Sequence, residues 1–452
     1  MKRCLAVCFF IFACAWQFAN AQMLQPIVNF GPPRNTNMVT PILSAGQVTT
    51  GPSAVAASYG PVIGGNTAAN LFNGTAFSRS QPIMDSGTLS HLYVNFPSGA
   101  GAAGTYQIII THNGAIPTVS PLNCTIPNSG TSCSDVTDSL SVTAGDTAGI
   151  AVCPGAVFVA GVCTAAGTET ANAVVQIGML FTSTTGNHSF LAGFSSLSMS
   201  TSAENWIGLS GGLNNWQATN DNIISQVIPA AGVIDKLYVI LTTAPGSGSW
   251  VFNLTHNGVD QSFSCSIIST NKTCEDASST LSVSAGDTVS LNATPSSSPT
   301  SAGVTLWGMR WTPATFGRSL ILSSDATSFP SATATNYNLA NGMPNATATQ
   351  ANTYHAGMAS FSVHGLTVLQ STVPGASKSR DICMNASSTS TCSSSNALTC
   401  NVGAAATTCT SVGGNDALSI SQGTLFGIAT TPNGGTNGAL TSFKVGAYMT
   451  VP

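Results

Sequence analysis

The sequence predicts an all-β chain built from three tandem antiparallel β-sandwich modules. Three observations carry this: a long internal repeat, period-two apolar alternation inside each copy, and no segment with sustained helical periodicity. Ser80-Gln81-x-Ile83-x-x-x-Gly87-x-x-x-x-Leu92-Tyr93-Val94 returns at the same spacing as Ser225-Gln226-x-Ile228-x-x-x-Gly232-x-x-x-x-Leu237-Tyr238-Val239. Each copy runs on to Thr-His-Asn-Gly (Thr111 to Gly114, Thr255 to Gly258), then to a Cys-x8-Cys and a Leu-Ser-Val-x-Ala-Gly-Asp.

The elements follow in order. Leu92, Val94 and Phe96 alternate with Tyr93 and Asn95, and Leu237, Val239 and Leu241 repeat the pattern. Such a strand sets one face on a core and the other in water. In the next strand Tyr106, Ile108 and Ile110 align with Trp250, Phe252 and Leu254, and His-Asn-Gly ends it. Asn-Gly accepts positive φ at both positions and is a strong hairpin signal. Beyond the cysteine pair, Leu140/Val142, Leu281/Val283 and Leu418/Ile420 begin a further strand. Gly145-Asp146 and Gly286-Asp287 then supply a turn before Ile150, Leu291 and Ile428. The unit closes with Val175 to Met179, Leu306 to Met309 and Val445 to Met449. In the third copy Leu366-Thr367-Val368 stands for Leu-Tyr-Val, and Gln422-Gly423-Thr424 for Ala-Gly-Asp.

Boundaries are expected at the linkers Ser183-Thr184-Thr185-Gly186 and Pro313-Ala314-Thr315. This gives a processing segment at 1–21 and modules at 22–184, 185–314 and 315–452. Modules of this size exceed an immunoglobulin-type sandwich of about 100 residues and suit an eight-strand jelly roll. The succession of a Gly-Thr-Tyr106 or Ser-Trp250 strand, an Asn-Gly turn, a Leu-x-Val-x-x-Gly-Asp strand and a last strand with central Gly178 or Gly308 resembles the tumour-necrosis-factor and complement-globular-head jelly rolls. The resemblance spans the second half of each module. It implies trimeric packing, with the three modules of one chain forming a pseudo-trimer.

Charged residues are 6% of the 452, against a hydrophobic content of 43%, so the chain can build cores while carrying few ionic groups. A net charge of −4 offers no basic patch, and neither nucleic acid nor an anionic membrane is expected as partner. Lys2-Arg3, apolar Leu5 to Ala15 and Ala19-Asn20-Ala21 have the form of a cleaved signal peptide, and no later stretch could span a bilayer as a helix. The protein is therefore expected to be secreted or held at a cell surface. Removing Cys4, Cys8 and Cys14 leaves Cys124/Cys133, Cys153/Cys163, Cys265/Cys274, Cys383/Cys392 and Cys400/Cys409. Their spacing suits disulfides across tight hairpins rather than zinc, which favours closer pairs converging on four ligands. The four cysteines of the third module allow three pairings, Cys383–Cys409 with Cys392–Cys400 among them.

Candidate chemistry is sparse. His112 and His256 repeat in one hairpin without a neighbouring nucleophile, which favours a structural turn over catalysis. No metal-loop, phosphate-cradling or nucleophile-elbow motif occurs. Asp135, Asp138 and Asp146 are echoed by Glu275, Asp276 and Asp287, but they flank opposite ends of one strand, so no metal or cofactor is expected. Trp250, Trp307 and Trp311 align with apolar residues of the first module and belong in a core. Trp206, Asn214, Asn215, Trp216 and Gln217 fall in a loop-rich stretch with no counterpart. Indoles beside amides suit a sugar, although packing within the module is the plainer reading. Eight Asn-x-Ser/Thr sites (Asn73, Asn123, Asn187, Asn253, Asn271, Asn292, Asn345, Asn385) are about what so hydroxyl-rich a chain produces by chance.

The leading expectation is thus a non-enzymatic exported protein that binds a ligand, a glycan or a surface protein, through its modules. The alternatives are a self-associating structural subunit of an extracellular assembly, whose extra segment Gln22 to Pro41 pairs with a neighbour's sheet edge, and a secreted hydrolase.

Overall fold

In the computed structural model the described residues are 37–47, 57–66, 72, 79–101, 104–117, 121–155, 158–159, 162–163, 174–213, 216–217, 221–325, 334–342, 354–386, 392, 397–411, 417–438 and 440–452. Residues 1–21, expected from the sequence to be a processing segment, lie outside them. Residues Asn37–Pro452 form one unit. Apart from one helical turn, Asp221–Ile224, its regular structure among the described residues is β.

Three pairs of facing sheets repeat one strand order. In the first module one sheet runs Gly64–Asn66, Val39–Gln47, Val174–Ser183, Gly87–Asn95, Ser132–Val142. The other runs Ser58–Pro61 with Gln81–Pro82, Thr147–Pro154, Tyr106–His112, Asn123–Ile126. The second module matches it with Gly211–Leu213, Ser189–Ser195, Thr305–Pro313, Gly232–Leu241, Thr273–Val283 facing Asn205–Ile207 with Gln226–Val227, Thr288–Ser296, Ser249–His256, Val259–Ile268. The third sets Ser319–Asp325, Phe443–Thr450, Phe361–Gln370 and Thr408–Thr410 with Leu418–Ile420 against Asn336–Asn338 with His355–Ala356, Leu425–Asn433, Ser379–Asn385, Ala397–Val402. The chain passes repeatedly from one sheet to the other, and each unit is a jelly-roll sandwich. Leu92 and Val94 of one sheet meet Tyr106, Ile108 and Ile150 of the other in the first core; Leu237, Val239, Trp250 and Phe252 do so in the second.

The staples form at the expected short spacing, a sequence separation of 9 in each, and three of them run between facing sheets rather than across one ladder. Cys124–Cys133, Cys265–Cys274 and Cys400–Cys409 each join the edge strand of one sheet to the edge strand of the facing sheet. No ladder of backbone hydrogen bonds joins the sheets of a sandwich, so a covalent link at the open edge replaces what a hairpin would have had already. Cys383 pairs with Cys392, which settles the third module's connectivity. Cys153 is disulfide-bonded as well, while the side chain of Cys163 lies outside the described residues.

The Asn-Gly turns form as expected. Asn113 and Asn257 take φ of 51° and 50°, and the glycines after them 73° and 78°. Each turn clasps the Gly-Asp turn of the neighbouring strand pair. The Asn113 side-chain N–H₂ donates to Asp146 at 2.9 Å, its carbonyl accepts from the Thr147 N–H at 2.8 Å, and His112 Nε2 lies 2.8 Å from the same carboxylate. Asn257, Asp287, Thr288 and His256 repeat the clasp. The repeated histidines are therefore turn staples in this fold. Asp135 and Asp276 do a separate job: each accepts three backbone N–H groups at an irregularity in its edge strand.

A bulge also repeats. His91, Lys236 and Gly365 occupy one position in the three modules, all with left-handed φ of 55°, 56° and 62°. The ladder shifts register there in each copy. For the two non-glycines this conformation costs about 1–2 kcal/mol, so the surrounding sheet must hold it in place.

Replacing Cys265 and Cys274 together by Ser should lower unfolding stability by about 2–3 kcal/mol, the loop-closure value for so short a link. Denaturant melts followed by tryptophan fluorescence would show it, since the described Trp250, Trp307 and Trp311 lie in that module's core.

Candidate functional site: the junctions between modules

Alternation predicts that one face of each sheet meets water. For the first and last strands of each module it does not. Every residue of Ser189–Ser195 is buried, and Gln176, Gly178 and Leu180 are buried on the face opposite Ile177 and Met179. The outward faces pack on neighbouring modules. Phe190, Ala192, Phe194, Ile240 and Leu306 of the second module join the first module's core. Leu320 and Leu322 of the third join the second's. Leu43 and Leu180 of the first join the third's. The contacts run second to first, third to second and first to third, so the ring is closed.

One glycine per module sets the closeness of these contacts. A Cβ added to Gly178 would lie 2.6 Å from the carbonyl oxygen of Ala356 in the third module. At Gly308 it would lie 2.3 Å from that of Pro82 in the first, and at Gly446 2.3 Å from that of Val227 in the second. Pro82, Val227 and Ala356 are themselves equivalent positions, so the same backbone-to-backbone seat is built at all three junctions.

Beside each seat a polar side chain clamps the strand that turns inward. Gln81 donates to the Ile63 carbonyl at 2.7 Å and accepts from its N–H at 2.8 Å. Gln226 holds Ser210 in the same way at 3.0 and 2.9 Å, and reaches the Leu322 carbonyl of the third module. His355 takes the third place: its Nε2 accepts from the Asn341 N–H at 3.1 Å. Burial pushes the His355 imidazole down to about 3, so it is neutral and able to accept. The clamped segments meet one another across modules. Ser210 Oγ donates to Asn341 Oδ1 at 3.0 Å, and a Cβ on Gly211 would fall 2.2 Å from the Gly342 Cα.

The junctions differ in their ionic groups. Between first and second, Arg79 is buried and stacks 4.8 Å from the Phe194 ring centroid; burial lowers its pKa to about 10. The Asp85 carboxylate accepts from Ser183 and Thr185 hydroxyls, both at 2.6 Å. Arg310 donates twice to Asp235, at 2.8 and 2.6 Å, and that hydrogen bonding raises the guanidinium's pKa against its burial. His188, on Thr312 Oγ1 at 2.9 Å, is lowered by burial and then by Arg310. Between second and third, the buried Lys444 Nζ donates to Ser225 Oγ at 2.6 Å.

Of the residues singled out in sequence, Trp216 is 8% exposed and packs against Phe252 and Trp307 in the second core. Its indole faces a core rather than solvent. Trp206 is half-buried, packs against the same core, and exchanges backbone hydrogen bonds with Gln217 at 2.9 and 3.0 Å. Asn214 and Asn215 lie outside the described residues. Sequence reasoning did not single out the junction residues Arg79, Asp85, His188, Arg310 and Lys444. The available signal was lost alternation in Ser189–Ser195, which is apolar or small on both faces.

Gly308→Val should destabilise the protein by about 1–3 kcal/mol or more, as overpacking does, whereas Gly145→Ala, with nothing within 4 Å of its Cβ position, would strain only its own φ of 93°. Equilibrium unfolding of both variants separates seat from turn. Acid should also weaken the fold. Burial alone would raise Asp135, Asp146, Asp276 and Asp287, but hydrogen bonds from backbone and side chains outweigh it and hold all four below the ordinary carboxylate value. Their contribution is present above the unfolded value of about 3.9 and is lost as pH falls through the lower native values. Thermal melts should stay flat from about pH 7 to 5 and drop below about pH 4.

No family model matches the chain, and no curated protein matches it. Among solved structures it aligns with the Sulfolobus Turreted Icosahedral Virus structure at 10% identity and a TM-score of 0.16, over 91% of each chain. A structure described as the triple jelly roll fold and turret assembly in an archaeal virus gives the same identity, coverage and score. The VP2 subviral particle of infectious bursal disease virus aligns at 8% identity and a TM-score of 0.14, over 93% of this chain and 83% of that one. Scores this low carry no argument, and the jelly-roll assignment rests on the strand order of the chain itself.

Proposed function

We propose that this chain is a non-enzymatic structural subunit of an extracellular assembly, a trimer of jelly rolls folded from one polypeptide. The closed ring of module contacts supports this reading: each module leaves a face that only its neighbour covers, so the three form one rigid head. The tumour-necrosis-factor and complement-head resemblance points the same way, since it implies trimeric packing. Disulfides at four described sites belong to an oxidising compartment. Among the described residues no helix is long and apolar enough to cross a membrane, and no cluster of three metal-ligating side chains occurs.

Residues Val39–Gln47 pair along Val174–Ser183 and correspond to Ser189–Ser195 and Ser319–Asp325, so 39–41 are part of the sandwich and not an added arm. The rest of the expected segment Gln22 to Pro41, residues 22–36, lies outside the described residues, and the assembly reading assigns it to pairing with a second copy. The exposed edge strands Val259–Ile268 and Ser132–Val142, with Val259, Ile268 and Val136 more than half exposed, are the edges such a segment would meet.

Sedimentation velocity of the oxidised 22–452 protein over a wide concentration range tests this. Reversible growth into discrete larger species, lost in a 37–452 protein, is the expected result. A monomer at every concentration, together with turnover of a polymer substrate abolished by a single Asp or Ser change, would replace it with the hydrolase reading.

A further inference from the structure

Where the first module meets the second, a cleft of about 410 Å3 opens, within the usual range for a small-molecule site. Met84 and Gly145 line it from the first module; Lys236, Tyr238, Glu275 and Ala277 line it from the second. Met84 is buried, Lys236 and Tyr238 are half-buried, and Glu275 is exposed. Tyr238 and Glu275 are direct cross-strand partners, so their side chains stand together on one face. Lys236 occupies the repeated bulge at φ 56°, a device that re-aims a side chain out of the regular ladder. Its neighbour Asp235 is taken by Arg310. Among the described residues neither Lys236 nor Glu275 enters a salt bridge, with the other or with anything else.

The ring makes the comparison with the other two junctions direct. At the first module's contact with the third, Tyr93 stands where Tyr238 stands, and the position is closed: a Cβ on Gly423, counterpart of Gly145, would be 3.2 Å from the Tyr93 hydroxyl. At the third module's contact with the second, Gly365, Thr367 and Thr410 replace Lys236, Tyr238 and Glu275, with no charge. In a chain with 6% charged residues, one junction of three equivalents carries an unpaired ammonium and an unpaired carboxylate around an apolar floor.

We propose that this cleft binds a carboxylate-bearing sugar. The ammonium of Lys236 takes the sugar carboxylate, the Glu275 carboxylate accepts from ring hydroxyls, and Tyr238 with Met84 covers the apolar ring face. The inference is independent of the assembly reading, since it concerns a cleft within one chain.

Calorimetric titration of the oxidised 22–452 protein with galacturonic acid and N-acetylneuraminic acid, beside neutral galactose and free glycine, tests it. Saturable binding of one or both acids is expected, with galactose weaker by about tenfold or more, the worth of a charge-assisted contact. Lys236→Gly should lose the same factor while melting no lower than the parent, because glycine is at ease at this φ and the third module already has it there. Glu275→Gln should weaken the acids while leaving the melt unchanged. Acids that do not bind, binding that survives Lys236→Gly, or glycine binding in preference to the acids would each overturn the proposal.

Discussion

The arrangement of this molecule rests on the contact of one backbone with another where Gly178, Gly308 and Gly446 meet the carbonyls of Ala356, Pro82 and Val227. A side chain at any of these glycines would push two modules apart. Because the modules touch this closely, the first and last strands of each of these sheets are covered on their outer face as well, by apolar and small side chains with a few polar ones among them. Burial on both sides also leaves little room for ionic groups, in keeping with the low charge of the chain. Of the charges found inside, Asp85 is held by two hydroxyls and Asp235 by a bidentate guanidinium, while Arg79 lies over the Phe194 ring.

A ring made from one polypeptide has a freedom that three identical chains lack. In a homotrimer a substitution appears at every junction, so a residue that suits one place must suit three. Here equivalent positions have diverged. Ser90 and Leu180, Asp235 and Arg310, and His364 and Tyr448 stand in corresponding places, as an apolar or hydroxyl pair, an ion pair and a stacked ring pair with centroids 5.4 Å apart. The clamps have diverged with less freedom. Gln81 and Gln226 use both ends of an amide, while His355 keeps the accepting half of that role as a neutral ring.

Within each module, local devices carry what the ring does not. The inter-sheet disulfides close one edge of each sandwich, and the Asn-Gly and Gly-Asp turns of the first two modules hold one another through a shared carboxylate. The third module has Thr424 where the others have that aspartate, so it lacks the clasp, and it has an additional disulfide from Cys383 to Cys392.

Much of this was legible in the chain. The repeat, the alternation of Leu92 and Val94 and the Asn-Gly signals determined an all-β sandwich, because strand period and turn chemistry are local properties. Cysteine spacing determined the pairs Cys124–Cys133 and Cys265–Cys274, because a short loop restricts the partners. What the sequence could not show is which surface each outward face meets. Alternation marks a face as apolar or small without naming its partner, and the contact between Gly308 and Pro82 joins residues far apart in the chain. Trp216 illustrates the same limit: an indole among amides reads alike in solvent or in a core, and only tertiary packing puts it against Phe252 and Trp307. Local patterns specify elements; long-range packing decides which of their faces stay wet.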